Sequence, residues 1–260
     1  MKLEALNITV EFQSRKVIND LSLSLGKGEL VGLIGPNGAG KTTLLKAIIG
    51  AQKYVHGELT LDGIPLQDLS QVERAKTLSY LPQAQSIEWQ LQARALVMLG
   101  RFPYQQAFSP PSPDCEYAVD QALATVNATP FAFRSLHTLS GGERALVLLA
   151  RTLAVGAPLI LVDEPIAELD LYHQINVMQI LRDKATEGVG VLAVLHDLTM
   201  AAQFMDRLIL INDGSVFAEG SPKEVLTKKN LEEVYKISPH QKDLSNNSII
   251  FPWKKAHKDV

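Results

Sequence analysis

GPNGAGKT, at residues 35–42, directly follows the apolar run LVGLI at residues 30–34. The octapeptide satisfies the pattern G-x-x-x-x-G-K-[ST], in which backbone amides surround phosphate oxygens. Residues 42–49 contain no helix breaker, and Gly50 follows them as a stop signal. The order of strand, loop and helix predicts an α/β fold built around a phosphate-binding loop.

The residue types in this loop suit phosphate binding. Glycines permit the dihedral angles that turn amide hydrogens inward, and the following helix N-terminus adds positive potential. Lys41 would place its ammonium on the outer phosphates, and the Thr42 hydroxyl would bind Mg²⁺. The predicted nucleotide-contacting residues are Gly35, Pro36, Asn37, Gly38, Ala39, Gly40, Lys41, Thr42 and Thr43.

A second acidic element is expected beside such a loop, and LILVDE at residues 159–164 supplies it. Its apolar residues are typical of a strand covered on both faces. They bring Asp163 and Glu164 to the carboxyl end of that strand, where α/β sheets bind ligands. We expect Asp163 to hold Mg²⁺ through water and Glu164 to act as general base. Seen alone, the two carboxylates would also suit an exposed strand end.

The segment LSGGER at residues 139–144, here called the signature loop, predicts a helix start and a second anion site. Ser140 stands as an N-cap with Glu143 three residues later, which is a capping box. Ser140, Gly141 and Gly142 would expose a hydroxyl and amides at the positive end of the helix. Two phosphate sites on one chain suggest that they share a phosphate.

Other apolar patterns extend the sheet. VGVLAVL at residues 189–195 predicts a further buried strand, and helical periodicity dominates the chain from about residue 83 to 157. In the proline-rich stretch at residues 108–114, Ser112 is suited to cap a helix. The helix before residue 189 is expected to bury one stripe, formed by Leu171, Ile175, Met178 and Leu181.

Composition excludes several classes of protein. Of 260 residues, 46% are hydrophobic and 20% charged, which excludes a disordered chain. The formal net charge of −3 gives no global attraction to DNA or an acidic membrane. Cys115 is the single cysteine and is expected to be buried and inert, as in a cytosolic protein. No apolar run approaches the roughly 20 residues that span a bilayer, so a membrane role is expected to need a partner.

The order and spacing of GPNGAGKT, LSGGER and LILVDEP resemble the ATP-binding cassette (ABC) ATPases. The resemblance covers about residues 1–237 and leaves 238–260 as an extension of unknown role. It implies a P-loop NTPase fold with a parallel core sheet, an antiparallel β subdomain and an α-helical subdomain inserted at about 84–157. It also implies a head-to-tail homodimer in which Ser140 of one subunit closes over ATP held by Lys41 of the other.

The resemblance assigns four further residues. Gln83 resembles the glutamine that contacts Mg²⁺ and water and leads into the helical subdomain, and His196 resembles the histidine that contacts the γ-phosphate. Phe12 resembles the aromatic residue that stacks on adenine, although tyrosine is usual there. Asp170 closes the D-loop AELD, which replaces the common SALD.

Within that family, VMLGRFPY at residues 97–104 and LHDLTMAAQFMDR at residues 195–207 resemble importers of iron-siderophore, haem and vitamin B12 chelates. This implies an ATPase subunit peripheral to the cytoplasmic face of the inner membrane. Its partners would be an integral membrane permease, met through the helical subdomain and the Gln83 loop, and indirectly a periplasmic or surface solute-binding protein, with no nucleic acid. LGRFP would equally suit an ordinary helix-to-loop transition.

Two alternatives remain open from the sequence, and a third fails to explain its motifs. One is a soluble ABC ATPase acting on DNA or ribosomes, although the long coiled coils or second cassette of such proteins are missing. Another is an importer subunit for a different metal or small solute. A P-loop kinase would leave LSGGE, Gln83 and His196 unexplained.

Overall fold

A computed structural model describes residues 1–13, 15–83, 91–106, 109–244 and 247–255. From residue 239 onward it describes only the backbone. The strands are β1 Lys2–Phe12, β2 Arg15–Gly26, β3 Leu30–Ile34, β4 His56–Leu61, β5 Ile64–Pro65, β6 Leu78–Leu81, β7 Leu159–Asp163, β8 Gly190–Val194, β9 Arg207–Asn212, β10 Ser215–Gly220, β11 Ile237–Leu244 and β12 Asn247–Lys255. The helices are α1 Lys41–Ile48, α2 Gln71–Thr77, α3 Ala93–Met98, α4 Pro113–Thr125, α5 Gly141–Ala154, α6 Leu171–Thr186, α7 Leu198–Phe204, α8 Pro222–Val225 and α9 Lys228–Tyr235.

Two sheets form the centre of the molecule. A six-stranded sheet has the order β10-β9-β3-β8-β7-β6 and is parallel except at β10, which is antiparallel to β9. A four-stranded antiparallel sheet has the order β2-β1-β4-β5. The predicted α/β fold class, with a parallel core sheet and a separate antiparallel sheet, is confirmed.

The parallel sheet is covered on both faces, as its apolar runs predict. Every residue of β3, β7 and β8 is buried. Successive residues of β3 join different cores: Leu30 packs with the helical side of the molecule, and Val31 packs toward α1 and the antiparallel sheet. Since these strands are parallel, their carboxyl ends lie at one edge and gather the loops that follow them.

The helices α3, α4 and α5 pack together beside this sheet. As predicted, Ser112 caps α4, its hydroxyl accepting a hydrogen bond from the Cys115 amide at 3.3 Å. Cys115 is buried and forms no disulfide, as expected. The LGRFPY segment forms a 3₁₀ turn over Leu99–Tyr104 between α3 and α4, whereas Phe108 of the proline-rich stretch lies outside the described residues.

The predicted buried stripe on α6 is wrong at the N-terminal end of the helix. Leu171 is 64% exposed and Ile175 is 44% exposed, whereas Met178 and Leu181 are fully buried. The helix begins beside the signature loop, outside the sheet, so its first turn has no core to pack against. The buried face lies further along and consists of Val177, Met178, Ile180, Leu181 and Ala185.

Residues 238–260 gave no pattern in sequence, yet the structure pairs β11 with β12 as an antiparallel hairpin. β12 lies beside α7, the helix that follows His196. Across the described residues, no helix combines the length and apolarity needed to traverse a bilayer.

Arg207 joins three parts of the fold at the start of β9. Its Nε and Nη2 donate to the two carboxylate oxygens of Glu29 at 2.7 and 3.0 Å, Nη2 also donates to the Ser24 carbonyl at 2.8 Å, and Nη1 pairs with Glu219. The Glu29 carboxylate raises the pKa of Arg207. We expect Arg207→Met to lower the free energy of unfolding by about 2 kcal/mol, because it leaves a partly buried carboxylate unpaired.

Urea denaturation followed by circular dichroism would measure this loss. Arg182→Met is the matched control, because the Arg182–Asp206 pair is single and more exposed and should cost less than about 1 kcal/mol. Equal losses in the two variants would contradict the special role of Arg207.

Candidate active site

The phosphate-binding loop turns sharply at the end of β3. Gly35 has a φ of 153°, and a Cβ there would lie 2.3 Å from the Ile211 carbonyl oxygen, so no larger residue fits. Lys41 is 6% exposed, and its Nζ donates to the carbonyls of Gly35 at 2.7 Å and Pro36 at 3.0 Å. The loop therefore closes around the ammonium group.

Two electrostatic effects act on Lys41. Burial lowers the pKa of its ammonium, and the carboxylates of Glu164 and Asp163 oppose that effect. A buried cation at the start of a helix, beneath a glycine-rich loop, is suited to bind a polyanion.

Asp163, the last residue of β7, is 1% exposed. The Thr42 hydroxyl donates to its Oδ1 at 3.2 Å, and the Tyr80 hydroxyl donates to its Oδ2 at 3.4 Å. Burial raises the pKa of Asp163, an effect that the hydrogen bond from Thr42 opposes. Burial also raises the pKa of Tyr80, reinforced by the Asp163 carboxylate, so that Tyr80 remains a donor.

Glu164 lies between two of the predicted site residues. Gln83 Nε2 donates to its Oε2 at 2.8 Å, and His196 Nε2 forms a hydrogen bond with its Oε1. The backbone of Glu164 is left-handed, with a φ of 53°, and its amide donates to the Val194 carbonyl at 3.2 Å. The structure therefore brings together all three residues predicted to be catalytic, from loops after three different strands.

One open cleft of about 380 Å³ contains this arrangement. It is lined by Val17, Asn37, Gly38, Gly40, Lys41, Thr42, Thr43, Gln83, Glu164 and His196. Among the predicted loop residues, Ala39 instead packs into the core beneath the loop. Phe12 is 47% exposed at the end of β1 and is not among the described residues that line the cleft.

Sequence reasoning did not identify Val17 or Tyr80. Val17 lies on β2, far in sequence from the phosphate-binding loop and the acidic residues that follow β7. Tyr80 lies on β6, in register with Leu161 of β7. Its contact with Asp163 depends on which strands are neighbours, and residue spacing does not specify that order.

The signature loop has the predicted capping box. The Glu143 amide donates to the Ser140 hydroxyl at 3.1 Å, and the Ser140 amide donates to the Glu143 carboxylate at 2.8 Å. The Ser140 amide is the chief cause of a lowered pKa at Glu143. Ser140, Gly141 and Gly142 are not among the described residues lining the cleft of their own chain.

Asp170 is the N-cap of α6. Its carboxylate accepts a hydrogen bond from the His173 amide at 2.9 Å and contacts the His173 ring nitrogen Nδ1. The His173 amide and ring lower the pKa of Asp170. Asp170 also lies outside the set of described cleft residues.

The donors beside the loop fit a magnesium ion. Thr42 and Asp163 offer a hydroxyl and a buried carboxylate, and burying a carboxylate is costly without a cation. Among the described residues, no group of three or more His, Cys, Asp or Glu side chains is arranged to hold a metal. One hydroxyl and one carboxylate suit Mg²⁺, which binds one or two protein oxygens and completes its shell with phosphate and water.

Similarity to known proteins shows to which family the chain belongs. A family model for the ABC transporter matches residues 18–167, more than half of the chain. The chain belongs to the ABC transporter family. A relative in this family, the hemin import ATP-binding protein HmuV of Rhodococcus jostii, is 41% identical over 233 residues, which cover 90% of this chain and 79% of the relative.

Solved structures of ABC proteins share the fold. A chain of an inward-facing ABC transporter described as of metal-chelate type superposes with a TM-score of 0.84 at 27% identity, over 97% of this chain and 98% of the other. The dimeric structure of the ABC transporter cassette MJ0796 has a TM-score of 0.74 at 29% identity, over 85% of this chain and 98% of the other. The P-loop NTPase fold of ABC ATPases is thus confirmed.

Proposed function

We propose that this chain is the ATP-hydrolysing subunit of an ABC importer for a metal chelate of the iron-siderophore, haem or cobalamin type. The observation that carries the proposal is the Glu164 carboxylate, held between Gln83 and His196 in the same cleft as Lys41. The likeness to a hemin import subunit and to a metal-chelate type transporter supports the cargo class.

In the proposed reaction, loop amides and the Lys41 ammonium bind the outer phosphates of ATP. A water oxygen bonds to the γ-phosphorus, Glu164 takes a proton from that water, and the bond to the bridging oxygen of ADP breaks. Gln83 orients the water and His196 contacts the γ-phosphate. When bound by Thr42, Gln83 and, through water, Asp163, Mg²⁺ supplies charge neutralisation at the phosphates.

The proposed active form is a head-to-tail homodimer. Ser140 and Gly141 are exposed and are not among the described residues that line the cleft of their own chain, so a second copy can place them over the γ-phosphate. The similarity to the MJ0796 cassette, whose solved structure is dimeric, supports the formation of a dimer. ATP binding would close the dimer and hydrolysis would reopen it, shifting the population of permease conformations.

The proposed contact with the permease is the LGRFPY turn. Phe102 is 74% exposed at its tip. Arg101 anchors the turn, because its Nη1 donates to the carbonyls of Ala154 at 2.8 Å and Val155 at 3.0 Å, at the C-terminal end of α5. Since α5 begins after Ser140, one helix connects the proposed permease contact with the signature loop.

This arrangement predicts where the chain acts in the cell. It would sit at the cytoplasmic face of the inner membrane as a peripheral subunit and serve a periplasmic or surface solute-binding protein through the permease. We propose that the ATPase domain spans residues 1–237, with a helical subdomain at about 84–157, and that nucleic acid is not a partner.

Phe102→Asp is expected to reduce chelate uptake and permease co-purification by about tenfold or more, because it places a charge where an apolar anchor is needed. ATPase activity of the isolated chain should stay within about twofold of the parent. Phe133→Asp is the matched control, since Phe133 is another exposed aromatic, 71% exposed, outside the turn. Unchanged uptake in Phe102→Asp would contradict the proposed contact.

Uptake assays would test the cargo. Vesicles containing the permease, this chain and internal ATP, with the solute-binding protein outside, should accumulate one of hemin, a ferric siderophore or cobalamin, and vesicles lacking the chain should not. Failure with all three chelates, with uptake of another metal or solute, would overturn the cargo class while leaving the importer proposal standing.

A further inference from the structure

The His173 side chain, in the first turn of α6, covers one face of the signature loop. A Cβ on Gly142 would lie 2.8 Å from each of Cγ, Cδ2 and Cε1 of the His173 ring. Equal distances to three ring atoms mean that the ring faces Gly142 flat on. The ring therefore fills the space that any larger residue at position 142 would need.

The opposite side of the loop is open. Within the described part of the chain, and apart from its own chain neighbours and the backbone of α5, no heavy atom lies within 4 Å of where a Cβ on Gly141 would stand. Ser140 and Gly141 are exposed, whereas Gly142 is half-buried beneath the ring. The loop thus has one packed face and one face free to meet a ligand.

Asp170 fixes the orientation of the ring. His173 Nδ1 lies 2.9 Å from both carboxylate oxygens of Asp170, and the same carboxylate caps the His173 amide. The His173 side chain is 23% exposed, whereas that of Asp170 is 67% exposed. One carboxylate therefore holds both the backbone and the ring of His173.

Rigidity matters here because the signature loop contains two adjacent glycines. Glycine loses more conformational freedom than any other residue when it is ordered. A loop that is ordered before association avoids part of that cost on binding. The packed ring is positioned to impose this order on Gly142 before a second copy arrives.

We propose that His173 is a positioning residue that joins the signature loop to the D-loop, through Gly142 and Asp170, and presents Ser140 and Gly141 as a preformed anion site. This inference rests on the proposed use of Ser140 across the dimer. His173 contacts no nucleotide itself and acts through the loop that does.

The test uses the full chain in a Glu164→Gln background, with ATP-dependent association measured by sedimentation velocity. His173→Ala should weaken association by about tenfold or more, because it removes both the ring on Gly142 and the bond to Asp170. ATP affinity of the single chain should stay within about twofold. His137→Ala is the matched control, because His137 is exposed and its ring bonds Ser135 at 2.8 Å.

Two further variants separate the contacts and serve if His173→Ala folds poorly. His173→Phe keeps a ring over Gly142 without the bond to Asp170, and His173→Asn keeps a donor for Asp170 without the ring. Each should weaken association by less than His173→Ala does. If both variants associated as strongly as the Glu164→Gln parent, the inference would be overturned. The proposed function would not be affected by that result.

Hydrogen exchange in the nucleotide-free chain tests the positioning role of His173 without any dimer. His173→Ala should speed amide exchange over residues 139–145 and 166–171, with other segments and the melting temperature unchanged. Unchanged exchange in both segments, or acceleration spread over the whole chain, would overturn the positioning role. If the Glu164→Gln parent itself failed to associate with ATP, the proposed function would fall and this inference with it.

Discussion

Glu164→Gln is expected to lower ATP hydrolysis by about 10²- to 10⁴-fold while ATP affinity stays within about twofold. The amide has the size of the carboxylate and can still accept the hydrogen bond that Gln83 donates at 2.8 Å. It cannot take a proton from water, so the chemical step stalls and an ATP-bound dimer accumulates. Single-turnover hydrolysis and equilibrium ATP binding measure the two quantities separately.

Glu168→Gln is the control for this prediction. Glu168 is an exposed carboxylate on the same loop, so its loss removes an equal charge near the site. Hydrolysis within about threefold of the parent is expected there, since only a general base should account for the larger factor. Normal turnover in Glu164→Gln would show that another group accepts the proton.

Ser140→Arg is expected to suppress hydrolysis by about a hundredfold or more, with nearly unchanged ATP affinity of the single chain. The substitution removes the cap of α5, in which the Ser140 hydroxyl accepts a hydrogen bond from the Glu143 amide at 3.1 Å. Loss of a cap alone costs about 1 kcal/mol of stability. The larger loss of activity is expected because the arginine occupies the surface that would cover ATP on a second copy.

Ser70→Arg separates these two effects. Ser70 caps α2 in a capping box of almost the same geometry. Its hydroxyl accepts a hydrogen bond from the Glu73 amide at 3.2 Å. That variant should lose similar stability and retain hydrolysis within about threefold. A large fall in single-chain ATP affinity in Ser140→Arg would argue that Ser140 serves the cleft of its own chain.

Local patterns predicted the parts of the fold that depend on local chemistry. The turn at Gly35, the capping box at Ser140, and the buried runs of β7 and β8 are each specified within a few residues. Burial at the N-terminal end of α6 was mispredicted because the apolar spacing extends beyond the part of the helix that packs on the core. The hairpin of β11 and β12 was not predicted because no strict alternation marks its strands.

The site residues were likewise predicted where local sequence specifies their position and missed where it does not. Lys41, Asp163, Glu164 and His196 converge because parallel strands deliver them to one edge of the sheet. Val17, Tyr80 and His173 were missed because their contacts depend on strand order and on the packing of α6 against the signature loop. The roles of Phe12 and Asp170 toward nucleotide stay predictions, as does the sharing of ATP between two chains.

The most direct test of that sharing mixes two inactive variants, each in the Glu164→Gln background. Lys41→Ala destroys one phosphate-binding loop and Ser140→Arg destroys one signature loop, so only a mixed dimer retains one complete composite site. With ATP, sedimentation should find each variant alone as a single chain and the mixture at twice 28.5 kDa, with one ATP for two chains. A mixture that stays at the mass of one chain, while the unaltered Glu164→Gln protein associates, would contradict the head-to-tail arrangement.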